Sequence, residues 1–173
     1  MPKYIFITGT NTDVGKTFIG TKLIKGLNKT YRCLAFKPIE TGCVKKKGVL
    51  IPKDSTKYYN MLNNVIGLDE LNPYRFIPPV SPYLAIKKAK KKVFIKDYYE
   101  KLKVISKNDP VLIEGAGGAF SPLALDGLNI DLMRTIRSFN ILIIKDELGC
   151  ISGALSNILA FEKYKVRLDL LIL

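Results

Sequence analysis

The chain has 173 residues, enough for one domain with a sizeable core, and 47% of them are hydrophobic, which excludes a disordered chain. Twenty-eight Lys and Arg against 15 Asp and Glu leave a formal charge of +13, which favours anionic partners; the absence of histidine removes the usual base of a catalytic triad and the commonest metal ligand. No apolar run reaches the ~18 residues of a membrane span, no basic-then-apolar leader opens the sequence, and three cysteines without metal spacing fit reduced thiols, so a cytoplasmic chain without membrane contact is expected.

In chain order, an apolar run over residues 4–7 predicts a strand, and the stripe Phe18, Leu23, Ile24, Leu27 predicts a helix. Between them lies Thr8-Gly-Thr-Asn-Thr-Asp-Val-Gly-Lys-Thr-Phe18. A glycine-bearing loop between strand and helix aims successive backbone N–H groups at a phosphate. Lys16 adds positive charge there, and the Thr17 hydroxyl suits Mg²⁺. The pattern is a variant, because five residues separate Gly9 from Gly15 where the common motif has four.

A second strand over residues 33–36 runs into Lys37-Pro-Ile-Glu-Thr-Gly42. Pro38 stiffens the exit, Gly42 permits an unusual dihedral, and Lys37 sits at the tip. Asp54 opens a helix marked by Tyr58, Tyr59 and Leu62. Asp54 or Ser55 is expected to cap that helix, and Asp54 is also a candidate metal carboxylate. The Pro-rich segments at residues 72–73 and 77–82 read as ordered loops.

Eight lysines fall between Lys87 and Lys103. They are expected to form a solvated helical face, since no nucleic-acid-binding module accompanies them. The stripe Ile95, Tyr98, Tyr99, Leu102, Ile105 precedes Pro110 and a strand over residues 111–113, which ends in Glu114-Gly-Ala-Gly-Gly118. The glycines let the backbone approach a ligand, and Glu114 stands where a metal carboxylate belongs. Ile130, Met133 and Ile136 mark a further helix. A strand over residues 141–144 leads through Lys145-Asp-Glu-Leu-Gly-Cys150 to a helix striped by Ile151, Leu155, Ile158 and Leu159, whose first N–H groups suit a carboxylate. Cys150, with no base in sight, is read as a buried small residue, and Glu40, Asp126 and Asp131 as solvated or capping. Residues 168–173 are a last strand. The continuous apolar strands alternating with helices predict a single α/β domain over residues 1–173: three layers, with a mainly parallel central sheet flanked by helices.

These motifs resemble the dethiobiotin synthetases of biotin biosynthesis. The resemblance is carried by Gly9-Thr-Asn-Thr-Asp-Val-Gly-Lys-Thr17, Lys37-Pro-Ile-Glu-Thr-Gly42, Asn72-Pro-Tyr74, Ser81-Pro82, Glu114-Gly-Ala-Gly-Gly-Ala-Phe-Ser-Pro-Leu123 and Leu148-Gly-Cys-Ile151, in family order across the whole chain. It implies a P-loop NTPase-like fold and an ATP- and Mg²⁺-dependent ring closure of 7,8-diaminononanoate (diaminopelargonic acid) with CO₂ to dethiobiotin, ADP and phosphate. It implies that Asp13, Val14, Gly15, Lys16, Thr17 and Phe18 wrap the triphosphate, and that Thr17, Asp54 and Glu114 hold Mg²⁺. Lys37, with Lys16 and Thr12, would be catalytic. Thr12 and Thr41 would bind the substrate's amine or carbamate end, and Glu114, Gly115, Ala116 and Gly117 would line the cleft. Gly149, Cys150 and Ile151 would meet the substrate carboxylate from the neighbouring subunit of a homodimer.

The sequence departs from the family at Asp13, where Glu is common, and at Ser152, where Asn is often found. It also stops at Leu173, where family members continue with an Asn-bearing loop and a further stretch that hold the purine base. Either the sequence is incomplete or the chain is naturally short, and base specificity is not assigned. Two other readings compete. One is a partition-type or cobyrinate-amidating ATPase of the same fold, although partition-type loops carry a second lysine where this chain has Asn11. The other is a basic nucleic-acid-binding protein using the lysine run.

Overall fold

The first strand shows how the layers form. In the computed structural model, which describes residues 1–107 and 109–173, β1 (Tyr4–Gly9) is buried along its whole length. Ile5 and Ile7 point to one face of the sheet, and Tyr4 and Phe6 to the other. A strand apolar on both faces is stable only with helices over each.

The loop after β1 delivers α1 (Lys16–Leu27). β2 (Leu34–Phe36) follows, then β3 (Ile39–Glu40) and an exposed antiparallel hairpin of β4 (Val44–Lys46) and β5 (Val49–Ile51). Next come α2 (Lys53–Met61), α3 (Leu68–Leu71), β6 (Tyr74–Arg75), α4 (Pro82–Lys88) and α5 (Ile95–Ile105). β7 (Val111–Glu114), α6 (Asn129–Ile136), β8 (Phe139–Ile143), α7 (Cys150–Lys163) and β9 (Leu170–Ile172) complete the described fold.

The central sheet has the order β2-β7-β1-β8-β9, and every pairing in it is parallel. β1 lies at the centre, with Tyr4 beside Val111 on one side and Ile5 beside Phe139 on the other. One layer is built on Ile24 of α1, Tyr58 and Leu62 next to it in space, and Leu71 of α3, packed on Ile5, Ile7, Ala35, Leu112, Ile141 and Ile143. The other packs α4, α5, α6 and the end of α7 on Phe6, Phe36, Val111 and Ile113. The predicted three-layer α/β architecture is therefore the observed one. All five predicted strands occur, each within about two residues of its expected bounds.

The two-residue pair β3–β6, the hairpin and the short helices α3 and α4 were not predicted. They fall in stretches to which no strand or helix was assigned. Their apolar residues are too sparse to set a period; Leu71 and Ile86 are nevertheless buried by tertiary packing, whereas Val44 and Val49 of the hairpin are exposed. Two stripes point differently from expectation. Phe18 of α1 is 64% exposed. Ile151, Leu155 and Leu159 of α7 are 73%, 55% and 61% exposed, while Ala160 and Phe161 face the core. Among the described residues no helix is long and apolar enough to cross a membrane.

Candidate active site

The carboxyl ends of β1, β2 and β7 open into one cleft of about 730 Å³. Thr12, Asp13, Gly15, Lys16, Thr17, Phe18, Lys37, Thr41, Asp54, Glu114, Gly115, Ala116 and Gly117 all line it. Crevices beyond strand carboxyl ends are where parallel sheets bind ligands. Val14, expected in the triphosphate wrap, turns its side chain into the core, so only its backbone is available to the loop. Gly149, Cys150 and Ile151 do not line this cleft. Cys150 is half-exposed rather than buried. None of the eight lysines from Lys87 to Lys103 lines the cleft, and Lys87 and Lys103 lie over the rings of Tyr83 and Tyr99.

The loop between β1 and α1 is wound to present N–H groups. Asp13 has φ 55° and Gly15 has φ 99° at the N-cap of α1. The second value is in the region that glycine adopts without strain, which accounts for Gly15. Lys16 bends back over the loop, and its ammonium donates to the Asn11 carbonyl at 2.6 Å. Burial, then the nearby Lys37 ammonium, pushes the Lys16 pKa down to about 8.

Lys37 leaves β2 with its backbone pinned at both ends. Its N–H donates to the Leu71 carbonyl at 2.8 Å, and its carbonyl accepts from Asn72 Nδ2 at 2.7 Å. The buried ammonium is ion-paired with Glu114 Oε1 and lies 3.5 Å from Asp54 Oδ2. Burial works against its charge, but Glu114 and Asp54 outweigh that and hold its pKa above the ordinary lysine value. Asp54 is pushed up by burial and down more strongly by Lys37 and Lys57, so it stays ionised. Glu114 Oε1 also accepts from Thr17 Oγ1 at 3.0 Å, and Oε2 accepts from the Tyr58 hydroxyl at 2.7 Å. Burial, then the Glu114 charge, keeps the Tyr58 hydroxyl protonated.

One hydroxyl and two carboxylates thus meet around an ammonium. Among the described residues no group of three or more His, Cys, Asp or Glu side chains gathers to hold a metal. A small all-oxygen donor set beside a phosphate loop fits Mg²⁺, which keeps water and phosphate oxygens as its other ligands.

Sequence reasoning read Glu40, Asp126 and Asp131 as solvated or capping, without their partners, and did not single out Asn129, Asn157 or the Tyr58 hydroxyl. Asp54 and Ser55 do not cap α2 with their own side chains. Glu40, buried, accepts from the Asp54 N–H at 2.8 Å, the Ser55 N–H at 2.9 Å and the Ser55 hydroxyl at 2.6 Å. A carboxylate at a helix N-terminus satisfies its free donors and opposes its dipole, but this one arrives from another strand and has no local signature. Asp126 and Asp131 accept from the Ile95 and Leu128 N–H groups, which makes them caps. The glycine loop after β7 is held by two asparagines: Asn129 donates to the carbonyls of Ala116 and Gly118, both at 2.7 Å, and Asn157 of α7 accepts from the Ala119 N–H at 2.8 Å. Only Tyr58 had a readable signal, since it lies four residues after Asp54 on the same helix face.

The fold and this cleft define a P-loop nucleoside-triphosphate-binding protein of the α/β class. A family model described as an AAA domain matches residues 3–173. The chain is 36% identical over 171 residues to the ATP-dependent dethiobiotin synthetase of Vesicomyosocius okutanii, covering 99% of this chain and 78% of that one. It is 33% identical to the enzyme of the same name from Ruthia magnifica (99% and 79% covered) and 34% identical to that of Aeromonas salmonicida strain A449 (90% and 70%). A plasmid partition protein of Borrelia burgdorferi B31, solved with AMPPNP, superposes with a TM-score of 0.54 at 16% identity, covering 99% of this chain and 73% of that one, and so shares the fold. The chain belongs to the dethiobiotin synthetases, a family of ATP-dependent ligases that form carbon–nitrogen bonds.

Proposed function

We propose that this chain closes the urea ring of dethiobiotin from 7,8-diaminononanoate, CO₂ and ATP, and that Mg²⁺ is required. One substrate amine adds to CO₂ to form a carbamate, releasing a proton. A carbamate oxygen attacks the γ-phosphorus and the bond to the β-phosphate oxygen breaks, giving ADP and a carbamic–phosphoric anhydride. The second amine attacks the carbonyl carbon, a C–N bond forms, and phosphate leaves. The substrate's own amines carry the nucleophilic steps, which suits a chain without histidine.

The protein's part is positioning and charge neutralisation. The loop from Asp13 to Phe18 wraps the triphosphate, with Lys16 on its terminal phosphates. Thr17, Asp54 and Glu114 would hold Mg²⁺, which supplies charge neutralisation on the phosphate oxygens. Lys37 stabilises the carbamate and the transferring phosphoryl group, and Thr12 and Thr41 orient the amine end. The residues at 149–151 serve the cleft of a second copy, and the outward apolar stripe of α7 is the surface that supports a homodimer.

The observation that carries this reading is Lys37, a buried ammonium held between Glu114 and Asp54 and near enough to Lys16 to lower that residue's pKa. Purified protein supplied with ATP, Mg²⁺, bicarbonate and 7,8-diaminononanoate is expected to yield a cyclic urea and ADP in equal amounts, read by mass spectrometry. Folded protein that yields neither overturns the assignment.

A further inference from the structure

We propose that Tyr58, with Gly20 opening the space for its hydroxyl, is a positioning residue that fixes the Glu114 carboxylate. The inference rests on the reading of Glu114 as a metal-holding carboxylate.

Glu114 is buried, and its two oxygens are divided between different elements. Oε1 accepts from Thr17 of α1 and Lys37 after β2; Oε2 accepts from Tyr58 of α2. Tyr58 is the only hydrogen-bond partner of Oε2 among the described residues. Without it the carboxylate keeps its contacts at one oxygen and loses what fixes its rotation. Outer partners of this kind set the orientation of a ligating group.

A buried tyrosine always needs a hydrogen-bond partner, so the contact alone would be compatible with ordinary core packing. Gly20 separates the two cases. It lies inside α1, where glycine costs about 1 kcal/mol relative to alanine. A Cβ at that position would overlap the Tyr58 hydroxyl oxygen, whereas the ring atoms Cζ and Cε1 would stand at 3.0 and 3.3 Å. The absent methyl makes room chiefly for the oxygen that reaches Glu114.

The test uses the folded enzyme with a non-hydrolysable ATP analogue and Mn²⁺, with free Mn²⁺ read by electron paramagnetic resonance. Tyr58→Phe is expected to weaken Mn²⁺ binding about tenfold. It should also raise the KM for Mg²⁺ more than it lowers kcat. Gly20→Ala should do the same by displacing the hydroxyl. The double variant should lose less than the sum of the two, because removing the oxygen takes away the severest overlap and leaves only the tight ring contacts. Glu114→Gln is the control. If Glu114→Gln loses Mn²⁺ while Tyr58→Phe binds it like the parent, Tyr58 is a packing residue and the inference is wrong. Additive losses in the double variant would also overturn it. If Glu114→Gln itself binds Mn²⁺ normally, the metal assignment falls and takes the inference with it.

Discussion

Two ammoniums and two carboxylates share the floor of the cleft, and they are close enough to act on one another. Removing one member therefore has two effects. Lys37→Ala leaves the buried Glu114 without its ion-pair partner, while Asp54 keeps Lys57, and breaking a buried pair in this way costs about 3–5 kcal/mol. Urea unfolding of the metal-free variant should show that loss. Turnover should disappear while ATP binding largely survives, because Lys16 and the loop amides remain. Equal loss of turnover and binding would make Lys37 structural. Lys16 gives a pH prediction with a definite sign. Its pKa is lowered to about 8 from an ordinary 10.5, by burial and then by Lys37. Above pH 8 the free protein has lost a proton that phosphate binding needs back. ATP affinity should therefore fall as pH rises past 8, approaching about tenfold per unit. Calorimetry should detect proton uptake on binding there, and Lys37→Ala should move the fall to higher pH. The fold itself gains stability between about pH 8 and 10.5, where the unfolded chain still carries the proton and the folded chain does not.

The elements that hold these residues differ in how far their sequences announced them. The strand, loop and helix from Tyr4 to Leu27 were readable because apolar period, glycine position and the Lys-Thr pair agree locally. Lys37 and Glu114 were readable as polar residues closing apolar strands. Asn129 and Asn157 were not: each reaches a backbone group more than ten residues away, and no local pattern records such a bond. The same holds for Glu40, whose partners belong to a helix it precedes by 14 and 15 residues. The α7 stripe misled for another reason. Period identifies an apolar face but not what covers it. Asn157 offers the test at this scale. Asn157→Ala leaves the buried Ala119 N–H without its acceptor, which costs about 1–3 kcal/mol. The expected result is a lower melting temperature and faster hydrogen exchange at Ala119, with little change at β1. Protection unchanged at Ala119 would show that the glycine loop holds itself.

On the scale of the whole molecule, the proposed homodimer would bring an outward apolar stripe together with a charge of +13. The two act against each other: burial of Ile151, Leu155 and Leu159 favours association, and like charge on both copies opposes it. Salt screens the second and not the first. Sedimentation should therefore show a dimer that tightens from low salt to about 0.5 M, a concentration at which the screening length is only a few ångströms. Leu155→Asp should be monomeric at both. A parent chain monomeric at working concentration contradicts the dimer. The central position of β1 has a different consequence, for how the molecule is made. Its neighbours, β7 and β8, are encoded roughly a hundred residues downstream. At ribosomal speeds of about 5–20 residues per second, the first strand is synthesised about 5–20 s before anything exists to pair with it. The first strand thus waits without a partner at either edge until β7 and β8 have been made.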